Sequence, residues 1–215
     1  MYRELLVPVD NSRHSGCALD RALELCRQFG GRITGSHVYG ARLHDVRFRQ
    51  LETGLPAKFQ ASEDLGRQRR IHDKLIEKGL QLISDSFLDQ VDQRCRTAGV
   101  PLRRQLLEGI NYEEIIREAN RTGAEDRGEK LAGSSGRRYD LVLMGAHGIG
   151  KQPSSQLGGV AARAVRRIER DVLLVRDDRP LQGGRFLVCV DGSAYGYRGM
   201  RAALELARAF GARLY

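Results

Sequence analysis

The chain has 215 residues, of which 41% are hydrophobic and 29% charged, and its formal net charge is +9. That length allows one good core and part of a second, and no run approaches the roughly 20 apolar residues that span a bilayer. The start, Met1-Tyr2-Arg3-Glu4, enters an apolar run that is interrupted by Pro8 and closed by Asp10, a poor signal-peptide core, so a cytoplasmic protein without membrane insertion is expected.

The run from Glu4 to Val9 is nearly all apolar, as a strand covered on both faces should be. Asp10-Asn11-Ser12 form a polar turn. Leu19, Ala22, Leu23, Cys26 and Phe29 follow at three- and four-residue spacing, and Gly30-Gly31 ends that helix. A second strand runs from Arg32 to Val38. This β-α-β opening argues for a parallel sheet. Residues 40 to 59 give no clear pattern. A helical insertion spans about residues 60 to 98, with Leu75, Leu82, Ile83, Phe87 and Val91 as its apolar stripe and Gly79 as a candidate break. Val100 to Leu107 reads as a third strand. Asn111 is expected to cap a helix of Tyr112 to Ala119, with Glu114 in capping-box position. Residues 121 to 138 are polar and glycine-rich, the composition of a flexible surface loop. Tyr139 to Met144 is a fourth strand, residues 145 to 158 a loop, Val160 to Glu169 a helix, and Val172 to Val175 a fifth strand. The first domain is thus placed at residues 1 to 176, and residues 177 to 184 form a linker.

Residues 5 to 34 recur at 186 to 215 with a constant offset of 181 and no gap, and 13 of the 30 positions are identical. Two unrelated strand-helix units would share an apolar pattern. They would not share Asp, Ser, Glu, Arg and Gly at one offset, so residues 185 to 215 read as the start of a second copy. One strand and one helix cannot bury their own apolar faces. The unit from Arg185 to Tyr215 is therefore expected to expose a strand and the face of Leu204, Leu206, Ala207 and Phe210. Either self-association or a chain continuing past Tyr215 would cover them.

Cys17, Cys26, Cys95 and Cys189 show no metal-ligand spacing and read as reduced thiols, mostly small core residues. The arginines are scattered in pairs without interleaved aromatics. They fit solvated helix faces better than a nucleic-acid surface.

The segment that carries chemistry is Asp140-Leu-Val-Leu-Met144-Gly145-Ala-His147-Gly148, followed nine residues later by Gly158-Gly159-Val160. Glycines allow backbone amides to approach a ligand closely, and a helix starting near Gly159 aims unpaired N–H groups at the loop. A glycine loop that binds nothing has the same appearance. Gly145 to Gln152 nearly fits a P-loop, but Gln152 replaces the hydroxyl that would hold Mg²⁺ and Pro153 follows it. His147 has no nucleophile or base tied to it by a recognisable motif, so any turnover of a bound ligand is expected to be slow.

The spacing Gly-x2-Gly-x9-Gly, the flanking strand sequences and the opening Val-Pro-Val-Asp-x-Ser resemble the universal stress protein family. The resemblance covers residues 3–39, 95–120, 139–176 and 185–215. It implies an adenine-nucleotide alpha-hydrolase-like fold: a doubly wound, open, parallel five-strand sheet of order 3-2-1-4-5. It implies ATP, ADP or AMP as ligand, with Mg²⁺ a candidate companion. Asp10 and its strand end, Pro8 and Val9, would contact adenine or ribose, and the backbone at Val38 would line the base pocket. Gly145, Gly148, Gly158 and Gly159 would hold the phosphates, and Ser12, Met144, His147 and Val160 complete the nucleotide-binding set. Gly159 stands where nucleotide-binding members carry Ser or Thr, a lost hydroxyl contact of about 1–2 kcal/mol, and Ser154 or Ser155 could replace it. Two readings remain open: a stress-related regulatory protein that binds an adenine nucleotide, or a nucleotide-independent dimerisation module. Either would act as a homodimer or tandem pseudo-dimer, with the insertion available to a protein partner.

Overall fold

The computed structural model describes residues 1–41, 50, 54, 63–122, 138–150 and 156–215. The loop expected at 121–138, most of the unassigned stretch 40–59, and the spacer residues Lys151, Gln152, Pro153, Ser154 and Ser155 fall wholly or mainly outside the described residues.

Strands β1 (Glu4–Pro8), β2 (Arg32–Tyr39), β3 (Leu102–Glu108), β4 (Leu141–Gly145) and β5 (Asp171–Val175) form one sheet in the order β3-β2-β1-β4-β5. Every pairing in it is parallel. Helices α1 (Arg13–Phe29) and α2 (Glu63–Ala98) lie on one face, and α3 (Asn111–Asn120) and α4 (Gly159–Ala164) on the other. The alternation within β1 shows why its sequence is apolar throughout. Leu5 and Val7 join the α1/α2 core, whereas Leu6 packs with Ala119, Tyr139 and Val142 on the opposite side. Each such side chain, fully buried, stabilises the fold by roughly 1.5–3 kcal/mol.

The local sequence starts and stops α1 as expected. The Ser12 hydroxyl accepts from Ser15 N at 3.2 Å, and Gly30, at φ 69°, turns the chain out of the helix. Elsewhere tertiary contacts revise the boundaries. Helix α2 is one 36-residue element without a break at Gly79. Asn111 does not cap α3 but is its first residue. Ile110 holds the cap position without a side-chain bond, and Glu114 N donates to Ile110 O, so there is no capping box. The helix expected to reach Glu169 ends at Ala164, where Arg167 N donates to Ala164 O in a tighter turn, and Asn120 at the end of α3 holds the segment that follows. Asn120 donates to Arg167 O at 3.0 Å and accepts from Glu169 N at 2.8 Å.

Residues 185–215 contain β6 (Arg185–Phe186), α5 (Ala194–Ala209) and β7 (Arg213–Leu214). The expectation that this unit stops before its second strand is corrected, since β7 pairs in parallel with β6. The pairs Arg185↔Arg213 and Phe186↔Leu214 lie 181 residues beyond Glu4↔Arg32 and Leu5↔Ile33. The same offset relates the turn bonds. Asp10 accepts from Ser12 N at 3.0 Å and Asp191 from Ser193 N at 2.9 Å, with Asn11 and Gly192 both left-handed between them.

The expected exposed face of α5 is only partly exposed. Ala207 and Phe210 are buried and Leu206 is half-buried, whereas Leu204, Leu187 and Val190 remain exposed. The cover comes from the first unit: Phe29 meets Phe210 edge-on with ring centroids 6.1 Å apart. The connecting residues are pinned to α1 as well. Arg21 donates to the carbonyls of Asp178 and Arg179, and Glu24 accepts from Leu181 N at 2.9 Å.

Two outcomes test this packing. Phe210→Ala should lower unfolding stability by about 3 kcal/mol, read from urea titration of the full chain, whereas an unchanged midpoint would mean that α5 does not dock on α1. Of the four thiols, only Cys189 is exposed. Burial pushes the Cys26 thiol up to about 12 and the Cys95 thiol up to about 11, so neither supplies thiolate at mildly alkaline pH. A disulfide reagent should therefore modify Cys189 rapidly and the other three only after denaturation.

Candidate functional site

Pairing between β1 and β4 runs only from Leu5↔Leu141 to Leu6↔Val142. The reason lies in Pro8. Val9 N donates to Ser36 O of β2, so the odd residues of β1 turn their amides toward β2. Asp140 N donates to Glu4 O, so the even residues face β4. Pro8 is even and has no N–H, so the ladder loses its donor toward β4 at that point. Beyond it a cleft of about 620 Å³ opens at the carboxyl ends of the strands, where the strand order reverses.

Of the residues predicted for the site, Pro8, Val9, Asp10, Val38, Met144, Gly145, His147, Gly148, Gly158, Gly159 and Val160 all line this cleft. Ser12 does not. Its hydroxyl caps α1 and donates to His147 O at 3.4 Å, so its place is to tie the β1 turn to the glycine loop.

The glycines differ in what they do. A Cβ on Gly145 would lie 2.8 Å from His14 C and 2.9 Å from Ser15 N, so this glycine lets the start of α1 pack on the end of β4. A Cβ on Gly148 would meet Asp10 Oδ2 at 2.6 Å. Gly158 is held to the loop by its own amide, which donates to Ala146 O at 2.8 Å, and a Cβ there would sit 3.2 Å from that oxygen. Gly159 has open space above it, with nothing within 4 Å of a Cβ. The first intrahelical bond of α4 runs from Ala162 N to Gly158 O. The amides of Gly159, Val160 and Ala161 therefore precede the helical ladder, and all three residues line the cleft.

Asp10 has one oxygen committed to Ser12 N, which leaves Oδ2 beside Gly148, and it is the one carboxylate among the described lining residues. The His147 ring lies 5.0 Å from that of His14. Several lining residues were not anticipated. Leu80, Ile83, Ser84 and Phe87 bring α2 over the cleft as a wall, and Phe87 fixes His37 edge-on at 5.1 Å while His37 Nδ1 donates to Val9 O at 2.6 Å. Ser36, Asn111, Ile115 and Arg163 complete the opposite side. The α2 stripe was visible as apolar periodicity. Nothing in its sequence says that part of the stripe would face a cavity instead of packed side chains.

An open parallel sheet, helices on both faces and a crevice at the reversal of strand order define a doubly wound α/β protein. The model of the universal stress protein family matches residues 1–125, more than half of the sequence, and the chain belongs to that family. Universal stress protein MJ0531 of Methanocaldococcus jannaschii is 25% identical over 176 residues, 82% of this chain and 83% of that relative. A universal stress protein of Archaeoglobus fulgidus superposes with a TM-score of 0.63 at 17% identity, covering 97% of this chain and 64% of that one. UspA of Lactobacillus plantarum superposes with a TM-score of 0.54 at 17% identity, covering 81% of this chain and 98% of that one. At these identities the two superpositions speak to the fold.

The glycine environments predict opposite effects for one substitution. Gly145→Ala should cost about 2 kcal/mol, since backbone must move. Gly159→Ala should be neutral or stabilise by about 0.5 kcal/mol. Denaturant midpoints of the two variants check this, and equal losses would mean that the loop is not packed as described.

Proposed function

We propose that the cleft binds an adenine nucleotide, and that the protein acts as a stress-related regulatory nucleotide binder. The observation that carries this reading is the division of the cleft into two chemistries. Pro8, Val38, Ile115 and Met144 form an apolar recess suited to a purine. Gly148, Gly158 and the free amides at Gly159 and Val160 lie beyond it as a cradle for phosphate oxygens. A cavity of this size is in the range of small-molecule sites. Asp10 Oδ2 fits a Mg²⁺ ion bound through one protein carboxylate and nucleotide phosphates, since Mg²⁺ commonly keeps several waters. Such an ion would neutralise phosphate charge beside Asp10. The reading is a binder with at most slow turnover.

The alternative, a nucleotide-independent interaction module, draws on β5. It is an edge strand of the sheet, and its residues Val172, Leu173 and Leu174 are half-buried. Pairing of this edge with that of a second copy, or with a second unit of the kind begun at Arg185, would bury it. The two readings are compatible, and only the first requires the cleft.

Isothermal titration of the full chain with ATP, with and without Mg²⁺, should show saturable binding. Gly158→Val should abolish it, because the side chain would press on the loop at Ala146 O and His147 Cα. Wild-type protein that gives no heat at millimolar ATP would overturn the nucleotide reading and leave the interaction module.

A further inference from the structure

We infer that Arg163 is the phosphate-contacting cation of the cleft, parked on Tyr112 when no nucleotide is present. The inference rests on the nucleotide reading above and deepens it.

A nucleoside polyphosphate brings several negative charges to a loop that already holds the Asp10 carboxylate beside Gly148. Backbone amides offer only partial positive charge. Among the described residues lining the cleft, Arg163 alone is a lysine or arginine. The two lining histidines have other contacts. His37 Nδ1 donates to Val9 O, and His147 stands against His14.

Position then favours Arg163. It follows Gly159 by four residues on α4 and so lies on the same helix face, one turn further along. Side chains of a helix lean toward its N-terminus and cover the preceding turn. The turn that Arg163 leans over is the one begun by Gly159, where nothing stands within 4 Å of a Cβ. A phosphate bound at the amides of Gly159 and Val160 therefore has open space above it and a guanidinium within reach.

The guanidinium now lies over the Tyr112 ring at 4.9 Å, and the Tyr112 hydroxyl donates to Glu113 Oε1 at 2.9 Å. An exposed cation–π contact is a weak hold, roughly two- to fivefold in an equilibrium. A bidentate charge-assisted bond to phosphate is stronger. The arrangement keeps the cation beside the cleft without closing it, and the ligand has only a weak contact to displace.

The test is titration of the full-length wild type, Arg163→Gln and Arg163→Lys with ATP, ADP, AMP and adenosine at one fixed salt concentration. Arg163→Gln should weaken ATP by about tenfold or more, ADP and AMP progressively less, and adenosine by less than about twofold. Arg163→Lys should recover part of the loss. Tyr112→Leu, which frees the guanidinium, should bind ATP at least as tightly as wild type. An Arg163→Gln variant that binds ATP like wild type, or that loses adenosine as strongly as ATP, overturns the inference and leaves the nucleotide reading standing. Wild type that takes up none of the four ligands overturns both.

Discussion

The missing amide of Pro8 is the constraint on which the site depends. A central strand of a parallel sheet normally bonds to both neighbours along its length. Here β1 follows β2 to the register pair Pro8↔Ser36 but parts from β4 after Leu6↔Val142. The strands diverge where the connections also change direction, because β2 and β3 lie to one side of β1 and β4 and β5 to the other. The backbone ends of β1 and β4, the β1 turn and the glycine loop therefore face a common space.

What surrounds the gap is held by close approaches, several of which need glycine. The start of α1 reaches the end of β4 because Gly145 has no side chain there, and the loop that follows is fixed to the β1 turn through Ser12 and His147 O. Asp10 is oriented by Ser12 N in the same turn. A turn that caps a helix and a turn that lines a site are thus one structure. A structural and a functional role for Asp10 and Ser12 are not alternatives, since the bonds that build α1 also set the direction of the remaining carboxylate oxygen.

The second unit shows how far a repeated sequence carries repeated geometry. Strand register, aspartate turn, serine cap and left-handed residues all recur at the offset of 181. Burial recurs only in part. Leu6 is fully buried, whereas its counterpart Leu187 is exposed, because β6 has one partner strand and β1 has two, with helices over both faces. The unit gains part of its cover by packing Phe210 against Phe29. Local hydrogen bonding follows from the sequence of a unit, and burial follows from its neighbours.

The sequence by itself determined the β-α alternation, the start and end of α1, the duplication, and the glycine loop after β4. These rest on short-range rules of apolar period, side-chain caps and left-handed turns, which a reader of residues can apply in order. It also pointed to Asp10, Val38 and the glycines, because a recurrent motif carries their spacing. Only the tertiary structure decided that α2 walls the cleft, that Ser12 ties the β1 turn to the glycine loop without lining the cleft, and that Arg163 borders the cleft. It also decided that α4 ends at Ala164. Each of these depends on residues far apart in the chain. Phe87 meets His37 across 50 positions of sequence, and Asn120 bonds to Arg167 O and Glu169 N just beyond α4. No periodicity within one segment records what a distant segment will place against it.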